Sequence, residues 1–178
     1  MKNRNLIISL ALLAGLAVGG TAQAAGKIYV GGKIGIVDAD SGVSGVSLDP
    51  AIAAGVYGGY NLLGKDAHFA ADLKGGTLAV EGEALLTGVK GDVTPAGDWD
   101  ITSFGAFAAY RHPLTDYFYL KGKLGLVRYD IDATSGVETT LAAGIGAGWK
   151  VGPGSLEAEI ATYGNDLRML SAGFHMNF

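Results

Sequence analysis

The sequence predicts an all-β chain, an eight-stranded antiparallel up-and-down transmembrane β-barrel. Three observations carry that prediction. Eight segments of about ten residues alternate between an apolar face and a face of glycine, alanine and ionic side chains. At about 3.3 Å per residue and about 40° of tilt, ten residues cover roughly 25 Å, the height of the apolar band of such barrels. Beyond an amino-terminal apolar run, the chain has no stretch long enough for a membrane helix, so a crossing must be made by strands closed on themselves; lipid satisfies no open sheet edge.

The amino terminus reads as an export signal spanning residues 1–24. Lys2 and Arg4 precede an apolar run from Leu6 to Val18, and small residues at Ala22 and Ala24 fit cleavage between Ala24 and Ala25. The run is shorter than the roughly 20 residues a spanning helix needs. Residues 25–178 then form one domain of 154 residues with eleven basic and seventeen acidic side chains, a net charge of −6. Such a chain is not expected to bind nucleic acid. With no cysteine it has neither disulfides nor thiolate metal sites.

The first strand, Lys27 to Val37, sets Ile28, Val30, Ile34 and Ile36 against Tyr29, Gly31, Lys33 and Gly35. The second, Ala51 to Asn61, opposes Ile52, Ala54, Val56 and Tyr60 to Ala53, Gly55, Tyr57 and Gly59. Residues 62–77 read as an extended connection, because a separate strand over Phe69–Lys74 would make the count odd; Gly75-Gly76 offers a bulge that shifts register by one. The third strand, Leu78 to Val89, carries Glu81 and Glu83 opposite Val80, Ala84 and Leu86. The fourth, Trp99 to Arg111, shows Phe104, Ala106, Ala108 and Tyr110 on one face.

The fifth strand, Tyr117 to Val127, is the most explicit: Phe118, Leu120, Leu124 and Leu126 on one side, Tyr119, Lys121, Lys123 and Gly125 on the other. In the sixth, Thr139 to Val151, Leu141, Ile145 and Trp149 oppose three glycines and Lys150. Gly152-Pro-Gly154 turns into the seventh, Ser155 to Tyr163, where Leu156, Ala158 and Ile160 oppose Glu157 and Glu159. Gly164-Asn165-Asp166 suits a hairpin before the last strand, which carries Leu170, Ala172, Phe174, Met176 and Phe178 on one face.

Alternation alone does not say which face meets water. The long residues of the polar face are Lys33, Glu81, Glu83, Lys121, Lys123, Lys150, Glu157 and Glu159, four basic and four acidic, set among glycine and alanine. A narrow lumen admits long ionic side chains only beside tiny neighbours, and an equal count permits full pairing. Lys121 or Lys123 turned toward lipid near mid-membrane would cost about 2–4 kcal/mol each. The ionic face is therefore expected inside.

Four stretches carry a family resemblance: Gly55-Val-Tyr-Gly-Gly-Tyr60, Ala106-Phe-Ala-Ala-Tyr-Arg111, Tyr119-Leu-Lys-Gly-Lys-Leu-Gly125 and Ser171-Ala-Gly-Phe-His-Met-Asn-Phe178. The chain resembles the small outer-membrane barrels typified by OmpX and the membrane domain of OmpA. The resemblance implies the outer membrane of a Gram-negative bacterium, lipid and lipopolysaccharide as surroundings, and a monomeric state. It also implies recognition by the barrel-insertion machinery through Phe174, Met176 and Phe178. The connection at 62–77 is longer than that family's short periplasmic turns.

No catalytic, cofactor-binding or metal site is expected. Some barrels of this size act on lipid A with a His and a Ser, but strand counting from a periplasmic amino terminus places His68, His112 and His175 at the periplasmic side, away from the outer leaflet, and none has the His-x-Ser spacing. His175 and Ser171 share a face, yet a hydrogen-bonding role suits His175 better. Gly144, Gly146 and Gly148 fail the nucleotide-loop spacing at Trp149. The four glutamates have as many lysines beside them, so structural pairing is the stronger reading.

The expected role is structural, or interaction at the cell surface, with a closed, ion-paired interior. The alternatives are a narrow ion-permeable pore, a lipid A-modifying enzyme and a soluble periplasmic lipocalin-like binder. The outward loops hold Asp38, Asp40, Asp49, Asp92, Asp98, Asp132, Glu138 and Asp166. These acids either meet lipopolysaccharide through shared divalent cations or are simply solvated.

Overall fold

A computed structural model describes residues 27–40, 45, 47–63, 75–94, 97–131 and 137–178. The expected leader with its cleavage position at Ala24 and Ala25, the segment Phe69–Lys74, His68 and Asp132 lie outside the described residues.

Eight strands make the barrel: β1 (Ile28–Ala39), β2 (Ala51–Leu63), β3 (Thr77–Val89), β4 (Ile101–Pro113), β5 (Phe118–Ile131), β6 (Val137–Val151), β7 (Gly154–Tyr163) and β8 (Leu167–Asn177). Each pairs antiparallel with its neighbours in sequence, and β1 pairs with both β2 and β8, which closes the sheet and leaves no edge. The connections at 114–117 and 152–153 lie at the end that also holds Lys27 and Phe178; the opposite end carries the connections after β1, β3, β5 and β7. We call these the turn end and the loop end.

The turns follow from local chemistry. Thr115 Oγ1 accepts from the backbone N–H groups of Tyr117 (3.2 Å) and Phe118 (3.0 Å), holding the β4–β5 turn. Gly152 and Gly164 take φ of 59° and 65° in the β6–β7 and β7–β8 turns, a region that disfavours other residues.

Burial is inverted relative to a water-soluble protein. On β5, Leu124 is 60% exposed and Lys123 only 4%; on β6, Ile145 reaches 71%. The apolar faces point out all round the barrel and the ionic faces point in, as a lipid-facing exterior requires.

The interior is layered. Toward the loop end it is filled by apolar side chains, among them Val37, Leu85, Trp99, Phe107, Val127 and Met169. At mid-height lie the ionic residues, and nearer the turn end sit Tyr29 and Tyr57. Over the loop end three short strands, Ser47–Leu48, Gly91–Thr94 and Asp98–Trp99, pair into a small sheet. Trp99 pins that sheet to the barrel: its ring is fully buried and its Nε1 donates to the Asp49 carbonyl at 2.8 Å.

Two expectations need correction. Trp99 does not begin the fourth barrel strand; it belongs to this loop sheet, and β4 starts at Ile101. The register shifts between β2 and β3 fall at Ile52/Ala53 and Asn61/Leu63 and not at Gly75-Gly76, where Gly75 is a turn residue with φ of 80°. The first leaves Gly88 of β3 without a partner and the second Leu62 of β2, each near a strand end, where the sheet can bend without upsetting the closed ring.

The two faces of β5 predict opposite tolerances. A side chain at Gly122 would meet open space, whereas one at Gly125 would collide with the Ala106 carbonyl and the Phe107 backbone on β4. In urea unfolding of micelle-embedded protein, Gly122→Ala should be near neutral and Gly125→Ala should cost about 1–3 kcal/mol. Leu124→Arg should cost about 2–4 kcal/mol through lipid exposure of its charge.

Candidate functional site: the lumenal charge network and the turn-end mouth

The ionic residues reach the lumen because i and i+2 of a strand share a face. Lys33 comes from β1, Glu81 and Glu83 from β3, Lys121 and Lys123 from β5, Glu157 and Glu159 from β7. All seven are at most 9% exposed. Odd-numbered strands thus supply most of the charge, and their cross-strand neighbours are small. Lys33 lies opposite Gly55 and Gly173, Glu157 opposite Gly148 and Gly173, Glu159 opposite Gly146 and Ser171, and Lys123 opposite Gly144 and Ala109. Glycine is needed there for room. The Tyr119 ring fills the space that a side chain on Gly148 would take, and the Tyr29 ring does the same over Gly59.

Lys150 departs from the expected set. It is exposed at the turn end and forms no ion pair among the described residues. Its place is taken by Arg111 of β4, whose guanidinium reaches Glu81 through Nη2 and Glu157 through Nε, each at 3.1 Å. The signal for Arg111 was its alternation with Tyr110, which puts it on the inner face. Four cations and four anions remain.

They form one connected lattice. Lys121 Nζ lies 3.0 Å from both Glu81 and Glu157 and 3.3 Å from Glu159. Lys123 Nζ lies 2.7 Å from Glu159 and 2.8 Å from Glu83. Lys33 bonds Glu83 and lies 3.5 Å from Glu159. Every carboxylate meets at least two cations, and every cation at least two carboxylates.

Tyrosine hydroxyls complete the carboxylates: Tyr29 donates to Glu81 (2.8 Å), Tyr119 to Glu157 (2.7 Å) and Tyr163 to Glu83 (2.9 Å). Lys123 Nζ also stands 4.2 Å from the centre of the Phe107 ring, and the Arg111 guanidinium 4.3 Å from that of Tyr29. Among the described residues no buried side-chain nitrogen or oxygen lacks a partner, the condition under which enclosed charge is tolerable.

His175 is buried with its Nδ1 3.1 Å from the Tyr57 hydroxyl and 3.7 Å from Glu157, and Ser171 donates weakly to the Glu159 carbonyl at 3.5 Å. His112 lies on β4 near the turn end, beside Tyr110. Outside the barrel wall, Lys90 is held by Asp100 (2.8 Å) and Asp98 (3.4 Å) in the loop region, and the hydrogen bonds its ammonium donates to these two carboxylates keep it above the usual lysine range. Such exposed pairs contribute little to stability. No cluster of metal-ligating side chains occurs among the described residues.

At the turn end the lumen opens into a cavity of about 330 Å³ lined by Tyr29, Thr77, Arg111, Tyr119, Lys150, Ser155 and His175, with Asn61, Asn177 and the β6–β7 turn at its rim.

The lattice predicts strong coupling between partners. Glu83→Ala leaves Lys33 and Lys123 to share Glu159 alone and should cost about 3–5 kcal/mol in urea unfolding, with Lys123→Met of similar size. The double variant should lose clearly less than the sum, and additivity would mean that the two side chains do not pair.

Residues 8–163 match the family described as outer membrane protein beta-barrel domain. Among solved structures, the neisserial surface protein A (NspA) is 21% identical with a TM-score of 0.53, covering 85% of this chain and 97% of that one. OprG of Pseudomonas aeruginosa is 14% identical with a TM-score of 0.55, covering 86% and 97%. Ail, the attachment invasion locus protein of Yersinia pestis, is 17% identical with a TM-score of 0.49, covering 85% and 97%. No curated protein sequence matches the chain. With its closed wall, apolar exterior and ionic lumen, the chain belongs to the outer membrane protein beta-barrel domain family, and its place is the cell outer membrane.

Proposed function

We propose that the protein is a closed, non-enzymatic barrel that serves as a structural element of the outer membrane and offers its loop end for interaction at the cell surface. One observation carries this reading: the lumen is obstructed twice in series, by the ion lattice at mid-height and by the apolar side chains toward the loop end. A hydrated ion moving along the axis would have to displace paired charges and then enter a dry layer around Phe107, Val127 and Trp99. The pore reading is therefore the weaker one.

Against an enzyme, Ser171 is engaged with a backbone carbonyl and His175 with Tyr57, so neither is arranged as a nucleophile and its base. The loop end, in contrast, carries a small sheet buttressed from within by Trp99, and exposed carboxylates at Asp40, Asp49, Asp92, Asp98, Glu138 and Asp166. The expected partners are lipid and lipopolysaccharide along the wall and the insertion machinery at the last strand, where Phe174, Met176 and Phe178 face outward. A monomer is sufficient for all of these roles.

In planar-bilayer recording the purified protein should give no steady conductance. Steady single-channel current that disappears in Lys121→Ala would place an ion path through the lattice and overturn the closed reading.

A further inference from the structure

We propose that the turn-end cavity is a binding site for a small anion, a phosphate or carboxylate group carried on a short organic body. Among the described residues the charged side chains on its wall are basic: Arg111 and Lys150 line it beside His175, and no Asp or Glu does. The carboxylates nearest in the network, Glu81 and Glu157, are at most 8% exposed and turned toward Arg111, Lys121 and the hydroxyls of Tyr29 and Tyr119.

The charge of Arg111 is offset by those two carboxylates, whereas Lys150 has no such partner among the described residues. An ammonium at the rim of a concave site, with no carboxylate paired to it among the described residues, draws an anion toward the Arg111 guanidinium deeper in the cup. This asymmetry also gives Lys150 a use that the ion lattice does not.

Size and shape agree with this chemistry. A volume of about 330 Å³ is at the lower end of the range for small-molecule pockets. The Tyr29 and Tyr119 rings and the edges of Pro113 and Pro153 give flat apolar walls, and Ser155 and Thr77 supply hydroxyls. The cup is blind, because the ion lattice closes it from behind. A solute that enters must leave by the same mouth, which is the geometry of a binding site and not of a conduit.

The test uses the purified full-length barrel in uncharged maltoside micelles, titrated with inorganic phosphate, glycerol phosphate and succinate while backbone amide resonances are followed. Saturable shifts at Thr77, Lys150, Gly152, Gly154, Ser155 and Asn177 are expected, with neutral glycerol giving none. Lys150→Gln should weaken binding about tenfold without lowering thermal stability. Thr77→Glu, which adds a carboxylate to the wall, should abolish binding while the folded band on a heat-modifiability gel is kept.

A headgroup source and a soluble source are separated in nanodiscs. If lipid phosphate fills the cup, nanodiscs containing phosphatidylglycerol suppress the response to free phosphate; if a soluble anion is the occupant, the response persists. Shifts that grow linearly and match sodium chloride at equal ionic strength overturn the proposal. So does saturation elsewhere on the barrel, or equal affinity in Lys150→Gln.

Discussion

Enclosing charge in a tube is the constraint on which this structure depends. Taking an ammonium or a carboxylate out of water costs several kcal/mol per ion even after relaxation, and only dense pairing offsets it. Here the compensation is complete: four cations and four carboxylates alternate in a connected lattice, with tyrosine hydroxyls on three of the carboxylates. The exterior follows from the same decision. Once the ionic face is inside, period-two alternation forces leucine, isoleucine and phenylalanine outward, and only hydrocarbon is a comfortable solvent for that surface.

The glycines belong to this argument as well. They lie on the lumenal face beside the long residues, at Gly55, Gly144, Gly146, Gly148 and Gly173. A barrel of eight strands has a lumen that side chains nearly fill. Each lysine or tyrosine that crosses it therefore needs a partner strand with nothing to contribute at that height. Charge on odd-numbered strands and small residues on even-numbered ones is the simplest way to meet that need, and Arg111 on β4 is the exception, placed low enough to share the wider mouth.

Much of this was legible from alternation. Lys33, Glu81, Glu83, Lys121, Lys123, Glu157 and Glu159 lie where a period of two puts them, because one buried face fixes the register of a whole strand. Lys150 shows the limit. Periodicity gives the face of a residue and not its depth, and a lysine at the last turn of a strand reaches the rim instead of the lattice. Arg111 was hidden by the same gap, since it adjoins a turn. The loop sheet was invisible for another reason: segments of two to four residues are too short to show a period, and the burial of Trp99 depends on a contact with Asp49 across 50 residues. The apolar filling near the loop end was overlooked because its members, such as Val37, Phe107 and Val127, are scattered one or two to a strand.

The sequence distances inside the lattice bear on how the molecule comes into being. Lys33 and Glu159 stand 126 residues apart, and Tyr57 and His175 118 apart, so the first contact needs β7 and the second β8. Lys121 and Lys123 can meet Glu81 and Glu83 earlier, but half of the carboxylates, Glu157 and Glu159, come only with β7. Contacts so remote make for slow folding. The charge lattice therefore lacks half of its anions until β7 is in place, and the wall lacks its seam until β8 meets β1.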